Sequence, residues 1–571
     1  MKQPWWKSAV AYQIYPRSFK DSNGDGIGDI RGIIEKLDYL QDLGIDVIWL
    51  CPVYRSPMDD NGYDIADYYS TDPLFGSNDD LFELVEEARV RGIRIIMDLV
   101  INHCSDEHPW FQKALADPTC KEADYFFFRT SPSGPPNNWR SMFGGSAWEK
   151  VAWTDGKPHP EGDRYYMHLF SKKQPDLNWE NPALREELYR MIRWWQDRGI
   201  AGFRVDAIVH IKKEPSLASH PADGPDGMCG LLGWARNAEG IDVFLEELRD
   251  KAFTGYNPDC LTVAEAPGVP TEELYQYEGD NGYFSMLFDF TYSEINFIGR
   301  GWEFARPMEE IPVAELRDMI FKHMLDGQAA GWPAVYLENH DYSRSVNKYL
   351  PTGEARNYYG ATMLATLMLT LRGTPFIYQG QELGMTNIHF DSIEEINDIS
   401  SWNHWRSGLA AGLTPEQIMK GLNGYSRDQN RTPFQWNATE NAGFTTGKPW
   451  LKVNPNYTDI NAEVEAADPN SVLSFYKRLI QFRKNSSIAE TLSLGNFEPV
   501  LLDESQLIAY WRRALSDSTS PDALVICNYQ NKEHTITLPT SPLSVLFSNY
   551  TEAVLNGQIL TLKPYQAVIL A

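Results

Sequence analysis

One pattern recurs along the chain: a helix-like run ends in Gly, an Ile follows, and a short apolar run comes next. Leu43-Gly44-Ile45 leads into Val47-Ile48-Trp49-Leu50, Arg91-Gly92-Ile93 into Ile95-Ile96-Met97, and Arg198-Gly199-Ile200 into Phe203 and Val205. Glycine is the usual left-handed residue just past a helix. Leu81, Leu84, Val85 and Ala88, and later Leu184, Leu188 and Met191, recur at helical spacing before two of these glycines. Helix, Gly and buried strand in repetition describe βα units around a parallel sheet. Further strand-like runs lie at 9–15, 261–264, 286–290, 334–337 and 375–378. Eight strands fit an α/β fold of the (β/α)8 TIM-barrel type, whose active site lies at the C-terminal strand ends. A doubly wound sheet is the alternative, but no Gly-rich nucleotide loop supports it.

The repeat predicts a barrel over 1–103 and 171–485. Between His103 and Gln174 it lapses into a Pro-, Gly- and Trp-rich stretch, too long for a plain connection in a compact domain. A small inserted subdomain over 104–170 is expected there, covering the site. A second loop-rich insertion is expected at about 387–457. Alternating runs at 507–512, 523–528 and 535–538 predict a C-terminal antiparallel β-sandwich over 486–571.

Three of the strand-like runs end in acidic or imidazole groups: Asp98 to His103, Val263-Ala264-Glu265, and Leu337 to Asp341. A fourth, Gly202-Phe203-Arg204-Val205-Asp206-Ala207, places Arg204 and Asp206 on one face of an apolar strand. Burying such a pair is costly unless the groups serve each other or a ligand. Alone, the pair reads equally as a structural ion pair. Polar groups at successive strand ends point to one shared site.

Charge narrows the partners. With 51 Lys and Arg against 78 Asp and Glu, the 571-residue chain carries a formal charge of −27. Nucleic acid and anionic membrane both need positive surface, so a neutral or cationic small ligand is the easier fit. No apolar run is long enough to span a bilayer, and the amino terminus has no apolar core of signal-peptide length. Six scattered cysteines without a Cys-x-x-Cys pair read as reduced thiols. These features predict a soluble cytoplasmic protein; a monomer or weak homo-oligomer is the expectation, though no sequence feature fixes the oligomeric state.

Four ordered stretches, DLVINH (98–103), GFRVDA (202–207), EAPG (265–268) and ENHD (338–341), resemble the signature of the α-amylase superfamily. QPDLNWENP (174–182), SRDQNRTPFQW (426–436) and ENAGFTTGKPW (440–450) resemble its oligo-1,6-glucosidase and α-glucosidase group. The resemblance covers nearly the whole chain. It implies a retaining glycosidase with Asp206 as nucleophile, Glu265 as general acid and base, and Asp341 gripping substrate hydroxyls. Glu265 must then hold a proton near neutral pH while Asp206 stays ionised, with Arg204 as the nearby positive charge. His103 and His340 are implied as donors to sugar hydroxyls, and Tyr63 as the platform under the sugar, with Phe143 and Phe170 as walls. Asp64 and Arg427 resemble the pair that holds the terminal glucose. Such a pair makes a pocket rather than a cleft, and implies removal of one glucose at a time from short α-glucosides. Some transfer of glucose to sugar acceptors is expected beside hydrolysis.

Linkage preference stays open. Ala207, after the nucleophile, leans to α-1,4 bonds, and EAPG leans to α-1,6. The stretch from His210 to Gly240 is less typical. Sucrose isomerase and trehalose-6-phosphate hydrolase are the nearest alternatives, and a non-catalytic barrel the remote one. The first relatives carry an Arg-Leu-Asp-Arg-Asp loop that is absent here. The second would need a basic patch. The third lacks the full carboxylate set.

The loop from Asp21 to Asp29 offers oxygen donors on alternate residues and suits a hard cation such as Ca²⁺. The twelfth position is Gly32, so it is not an EF-hand. A solvated acidic turn is the plain reading. The resemblance implies a structural Ca²⁺ on Asp21, Asn23, Asp25, the Ile27 carbonyl and Asp29, with no organic cofactor.

Overall fold

Eight parallel strands form the centre of the computed structural model, which describes residues 3–571 apart from 154–156, 158, 225, 231–233 and 298–304. They are β1 (Ala11–Ile14), β2 (Val47–Leu50), β3 (Arg94–Val100), β4 (Gly202–Asp206), β5 (Leu261–Glu265), β6 (Met286–Phe288), β7 (Ala334–Val335) and β8 (Thr374–Tyr378). Pairing runs β6-β5-β4-β3-β2-β1-β8-β7, a nearly closed barrel whose seam lies between β6 and β7. Across the seam the rings of Phe288 and Tyr336 meet edge to face at 5.2 Å.

The three glycines that end the repeated helices are all left-handed: Gly44 at φ 95°, Gly92 at 76° and Gly199 at 93°. Helix Asn78–Val90 begins on a capping box made by Ser77 and Asp80, and buries Leu81, Leu84 and Ala88. Helix Pro182–Gln196 begins on Asn181 and buries Leu184, Leu188, Met191 and Trp195.

Strand alternation sorts the side chains into two cores. Outward residues such as Tyr12, Ile48, Met97, Phe203 and Val205 pack with the helices. Inward residues such as Val47, Trp49, Ile96, Val263, Phe288 and Phe376 fill the barrel. Gly202 lies so close to β5 that a Cβ would stand 1.8 Å from the Leu261 carbonyl oxygen. Only glycine fits, and the tight approach sets the β4–β5 register on which the site depends.

The inserted stretch carries a three-stranded antiparallel sheet of Phe128–Ser131, Asp163–Met167 and Trp148–Val151, with the second in the middle. Its small core of Phe127, Trp139, Trp148 and Leu169 also takes in Leu217, Cys229 and Ala235. The stretch after β4 is therefore packed into the insertion. The C-terminal part holds a five-stranded and a three-stranded antiparallel sheet around Leu524, Ile526, Leu560 and Leu562, the expected sandwich.

The loop-rich region 387–457 also contains helices Ile399–Ala410 and Pro415–Tyr425 around a core of Ile388, Phe390, Ile418 and Leu422. The first is polar on most faces, which hid its periodicity, and the second opens on a Thr414–Gln417 capping box. All six cysteines are unpaired. No helix among the described residues is long and apolar enough to cross a membrane.

Candidate active site

A pocket of about 140 Å³ opens at the C-terminal ends of the strands. It is lined by Asp206 and Glu265 from β4 and β5, His340 and Asp341 from beyond β7, and His103 from beyond β3. Register brings the charges together. Asp98 pairs with Arg204 across β3 and β4, and Val263 with Arg204 across β4 and β5, which places Glu265 beside Asp206.

Arg204 is the hub. Nη1 donates to Asp98 Oδ1 at 2.9 Å and to Asp206 Oδ1 at 2.6 Å, and Nη2 to Glu265 Oε2 at 2.8 Å. Its side chain is 3% exposed. Burial pushes the Asp206 carboxyl well above its usual range, and the Glu265 and Asp98 charges add to that push while Arg204 opposes it. Three carboxylates share one guanidinium, so Arg204 does not by itself hold Asp206 ionised as the sequence reading supposed. Asp98 is raised as well, chiefly by burial.

Ala207 is left-handed at φ 45°, and its N–H donates to Glu265 Oε2 at 3.0 Å. The turn after the strand thus aims Glu265. Asp341 is held in the opposite sense, far below the usual carboxylate range: burial pushes it up, but its interaction with His340 and the charges of Arg427, Arg431 and Arg204 outweigh that. Arg431 Nη2 donates to Asp341 Oδ1 at 2.9 Å.

The two histidines are in place and neutral. Burial lowers His340 to about 3 and His103 to about 4. Tyr63 stacks on His340 with ring centres 5.3 Å apart and 3° between planes, and its hydroxyl lies 2.7 Å from His340 Nε2. The same hydroxyl donates to Asp98 Oδ2 at 2.9 Å. His103 Nε2 lies 3.0 Å from the Tyr63 carbonyl oxygen, so a sugar hydroxyl must share that N–H. Phe143 and Phe170 meet at 5.7 Å and both line the pocket.

Asp64 is a correction. It is fully buried behind the pocket and accepts from Ser56 Oγ and from the backbone N–H groups of Asp59 and Asp60. Its carboxyl staples the turn, and burial lifts its pKa to about 7. The partner of Arg427 is Asp60, with Nη2 to Oδ1 at 3.0 Å, and Asp60 lines the pocket. The left-handed residues Met58 and Asn61 fold the turn so that Asp60, not Asp64, faces the cavity. Arg427 Nε also donates to Asp398 Oδ1 at 2.7 Å, and Nη1 to Asp341 Oδ1 at 3.3 Å.

Other residues escaped the sequence reading. Met142, Val209, His210, Pro267 and Phe290 line the pocket, and Asp398 and Arg431 fix its charged end. Asp98 sat inside a signature stretch, and its place at an inward strand position was a usable signal.

In the loop before the first barrel helix, Asp21 Oδ1 accepts from the N–H groups of Asn23 and Gly24 at 2.9 and 2.7 Å, and Oδ2 from Gly26 at 2.8 Å. Asn23 Oδ1 accepts from Asp25 N and Asp25 Oδ1 from Ile27 N, each at 2.9 Å. Asp29 caps the following helix through Gly32 N. Among the described residues no three His, Cys, Asp or Glu side chains cluster as metal ligands. A cation here would therefore depend on Asn23 and the Ile27 carbonyl as well as on the carboxylates.

Paired carboxyls beside histidines and aromatic rings, in a pocket at the C-terminal end of such a barrel, are an arrangement that a retaining glycosidase can use. Comparison with known proteins agrees. The "Alpha amylase, catalytic domain" profile matches residues 13–491, and the "Alpha-amylase SusG C-terminal domain" profile residues 507–569. The chain belongs to the alpha-amylase family of glycoside hydrolases. It is 43% identical to an oligo-1,6-glucosidase of Parageobacillus thermoglucosidasius, over 96% of this chain and 95% of that one. It is 41% identical to a glucan 1,6-alpha-glucosidase of Streptococcus pneumoniae, over 98% of each. Among solved structures it resembles a trehalose-6-phosphate hydrolase of Bacillus licheniformis, with TM-score 0.88, 40% identity and coverage of 100% of this chain and 99% of that one. A trehalulose synthase of Pseudomonas mesoacidophila superposes with TM-score 0.91 at 39% identity, over 100% of both chains.

Proposed function

We propose that the protein is a retaining, exo-acting α-glucosidase of oligo-1,6-glucosidase type, which removes terminal glucose from short α-glucosides. The observation that carries this reading is the closed end of the pocket, where Arg427 is held by Asp60, Asp341 and Asp398. A chain end fits such a pocket and the middle of a polymer does not.

Asp206 and Glu265 lie on the two terminal nitrogens of one guanidinium. That arrangement suits the carboxyl separation of about 5 Å used for retention. Glu265 protonates the glycosidic oxygen as Asp206 bonds to the anomeric carbon and the leaving sugar departs. Water then attacks that carbon, gives its proton to Glu265, and the bond to Asp206 breaks. A sugar hydroxyl in place of water gives transglucosylation. Asp341, kept ionised by Arg427, Arg431 and Arg204, suits a grip on sugar hydroxyls and the positive charge of the transition state.

Among the described residues the pocket lining offers one permanent cation, Arg427, and three carboxylates already engage it. A phosphorylated substrate would find no free positive group there. The name oligo-1,6-glucosidase, carried by several similar curated sequences, favours isomaltose and its longer relatives over maltose. Oxygen-donor chemistry supports Ca²⁺ at Asp21, Asn23, Asp25, Ile27 and Asp29, where it would stiffen the loop without entering the reaction. The site of action would be the cytoplasm.

The test is glucose release from isomaltose, maltose and sucrose at equal concentration, with Asp206→Ala as control. Isomaltose should lead and the variant should be inactive. Leading maltose would make the enzyme an α-1,4-glucosidase, and isomeric disaccharides from sucrose an isomerase. Release from trehalose 6-phosphate alone would overturn the reading of the charged end.

A further inference from the structure

We propose that Lys213 is a positioning residue that fixes the tautomer of His103. The inference rests on the glucosidase reading only for its kinetic consequence. Lys213 lies in the stretch after β4 whose role the sequence left open, and it is 3% exposed.

An ammonium has three N–H donors and no acceptor. Each of the three finds an oxygen on a different segment. Nζ donates to Asn102 Oδ1 at 2.9 Å, at the end of β3. It donates to the His210 carbonyl at 2.7 Å, beyond β4, and pairs with Asp176 Oδ2 at 2.7 Å, where the chain returns from the insertion. Because Lys213 can only donate, it selects the oxygen of the Asn102 amide and turns the nitrogen the other way. That nitrogen stands 3.1 Å from His103 Nδ1.

An amide N–H facing Nδ1 requires Nδ1 to be a bare acceptor, so the single proton of the neutral ring sits on Nε2. From there it is donated to the Tyr63 carbonyl at 3.0 Å and is available to a sugar hydroxyl in the pocket. Gln174 Nε2 also lies 3.1 Å from His103 Nε2, which by itself would favour the other tautomer. Its two hydrogens are directed to the Tyr63 carbonyl at 3.2 Å and Asp60 Oδ2 at 3.3 Å. The conflict is settled at Nδ1, by Asn102 and behind it by Lys213. Burial keeps His103 neutral, with a pKa of about 4, so its tautomer rather than its charge decides what it offers the substrate. The same lysine holds the His210 carbonyl, and Asp176 Oδ1 accepts from Leu169 N at 2.8 Å, beside Phe170. One buried cation thereby ties two pocket walls to the tautomer of a third group.

The test uses the full chain labelled with ¹⁵N-histidine, with the His103 signals assigned by their loss in His103→Gln. The wild type should show a protonated Nε2 and a bare Nδ1. Asn102→Asp keeps an acceptor for Lys213 but can only accept from His103, so it should invert the pattern. It should also lower kcat/KM for p-nitrophenyl α-glucoside by roughly tenfold or more, the worth of one hydrogen bond to a substrate. Lys213→Met frees the Asn102 amide to rotate and should give a mixture of the two ring forms. If either variant fails to fold, Lys213→Met with Asp176→Asn removes both buried charges together and is read in the same way. Wild-type ring signals in a folded Asn102→Asp or Lys213→Met protein would overturn the proposal. So would an inverted ring with unchanged kcat/KM. Absence of hydrolysis in the wild type would remove the glucosidase reading while leaving the tautomer result intact.

Discussion

Replacing Arg204 with Met removes the one positive charge that buried Asp98 and Asp206 and half-buried Glu265 share, at contacts of 2.9, 2.6 and 2.8 Å. At an effective dielectric constant near 20, a unit charge about 4 Å away is worth about 4 kcal/mol, or roughly three pKa units. Burial already pushes Asp206 upward, with Arg204 opposing it, so losing Arg204 should carry the nucleophile well into its protonated form at neutral pH. Activity needs the ionised form. The acid limb of kcat/KM should therefore move to higher pH, and kcat/KM at pH 7 should fall by about 10²–10³. Much of that loss should return as pH rises. Arg204→Lys keeps a charge but not the two-nitrogen bridge. It should show a smaller displacement of the limb beside a pH-independent loss. The assay is a pH series of kcat/KM on p-nitrophenyl α-glucoside, with thermal melts to establish that each variant is folded. A folded Arg204→Met protein with the wild-type pH profile, merely scaled down, would refute the electrostatic reasoning and leave Arg204 a geometric support.

Asp60→Asn should weaken the charged end of the pocket and lower kcat/KM by roughly 10- to 100-fold, the range of a charge-assisted hydrogen bond. Asp64→Asn, behind the pocket wall, should leave kcat/KM within about threefold, and steady-state kinetics on isomaltose would expose the reverse order. Burial raises Glu465 to about 8, far above its unfolded value near 4.3. A raised pKa means stability present below pH 4.3 and lost as pH climbs towards 8, up to a few kcal/mol. Glu465→Gln should therefore match the wild-type melting temperature near pH 4 and exceed it increasingly up to pH 9, while a constant difference would contradict the assignment. Chelation with EDTA should lower the melting temperature, and added Ca²⁺ should restore it, with no change in initial rate at 25 °C. An unmoved melt would remove the proposed cation.

Much of the barrel was legible because its information is local. Gly44, Gly92 and Gly199 mark helix ends, and the period-two placing of Arg204 and Asp206 marks an inward face. Glu265 was legible for the same reason, as the polar end of an apolar strand. Asp60 was not. Its role depends on a turn built from left-handed Met58 and Asn61 and on a partner 367 positions away. Two aspartates four residues apart look alike until the turn is folded. The helix Ile399–Ala410 was hidden because Ser400, Asn403, His404, Arg406 and Ser407 leave little apolar periodicity. The stretch after β4 gave no signal of its own, since its meaning lies in packing onto the insertion and in the three partners of Lys213.

The charge state of the site was the hardest part to foresee. Opposite charges two residues apart suggest a simple pair, but the register of β3, β4 and β5 brings a second and a third carboxylate to the same guanidinium. The chemistry follows from that count, because one proton must remain among the acids for one of them to act as a donor.

The central claim is retention with release from the chain end, and the anomer of the first product tests both parts. Proton NMR of isomaltotriose mixed with enzyme, read within the first minutes, should show α-glucose and isomaltose as the initial products, with β-glucose appearing later by mutarotation. β-Glucose as the initial product would contradict the covalent role of Asp206. An initial product mixture without free glucose would contradict the closed pocket.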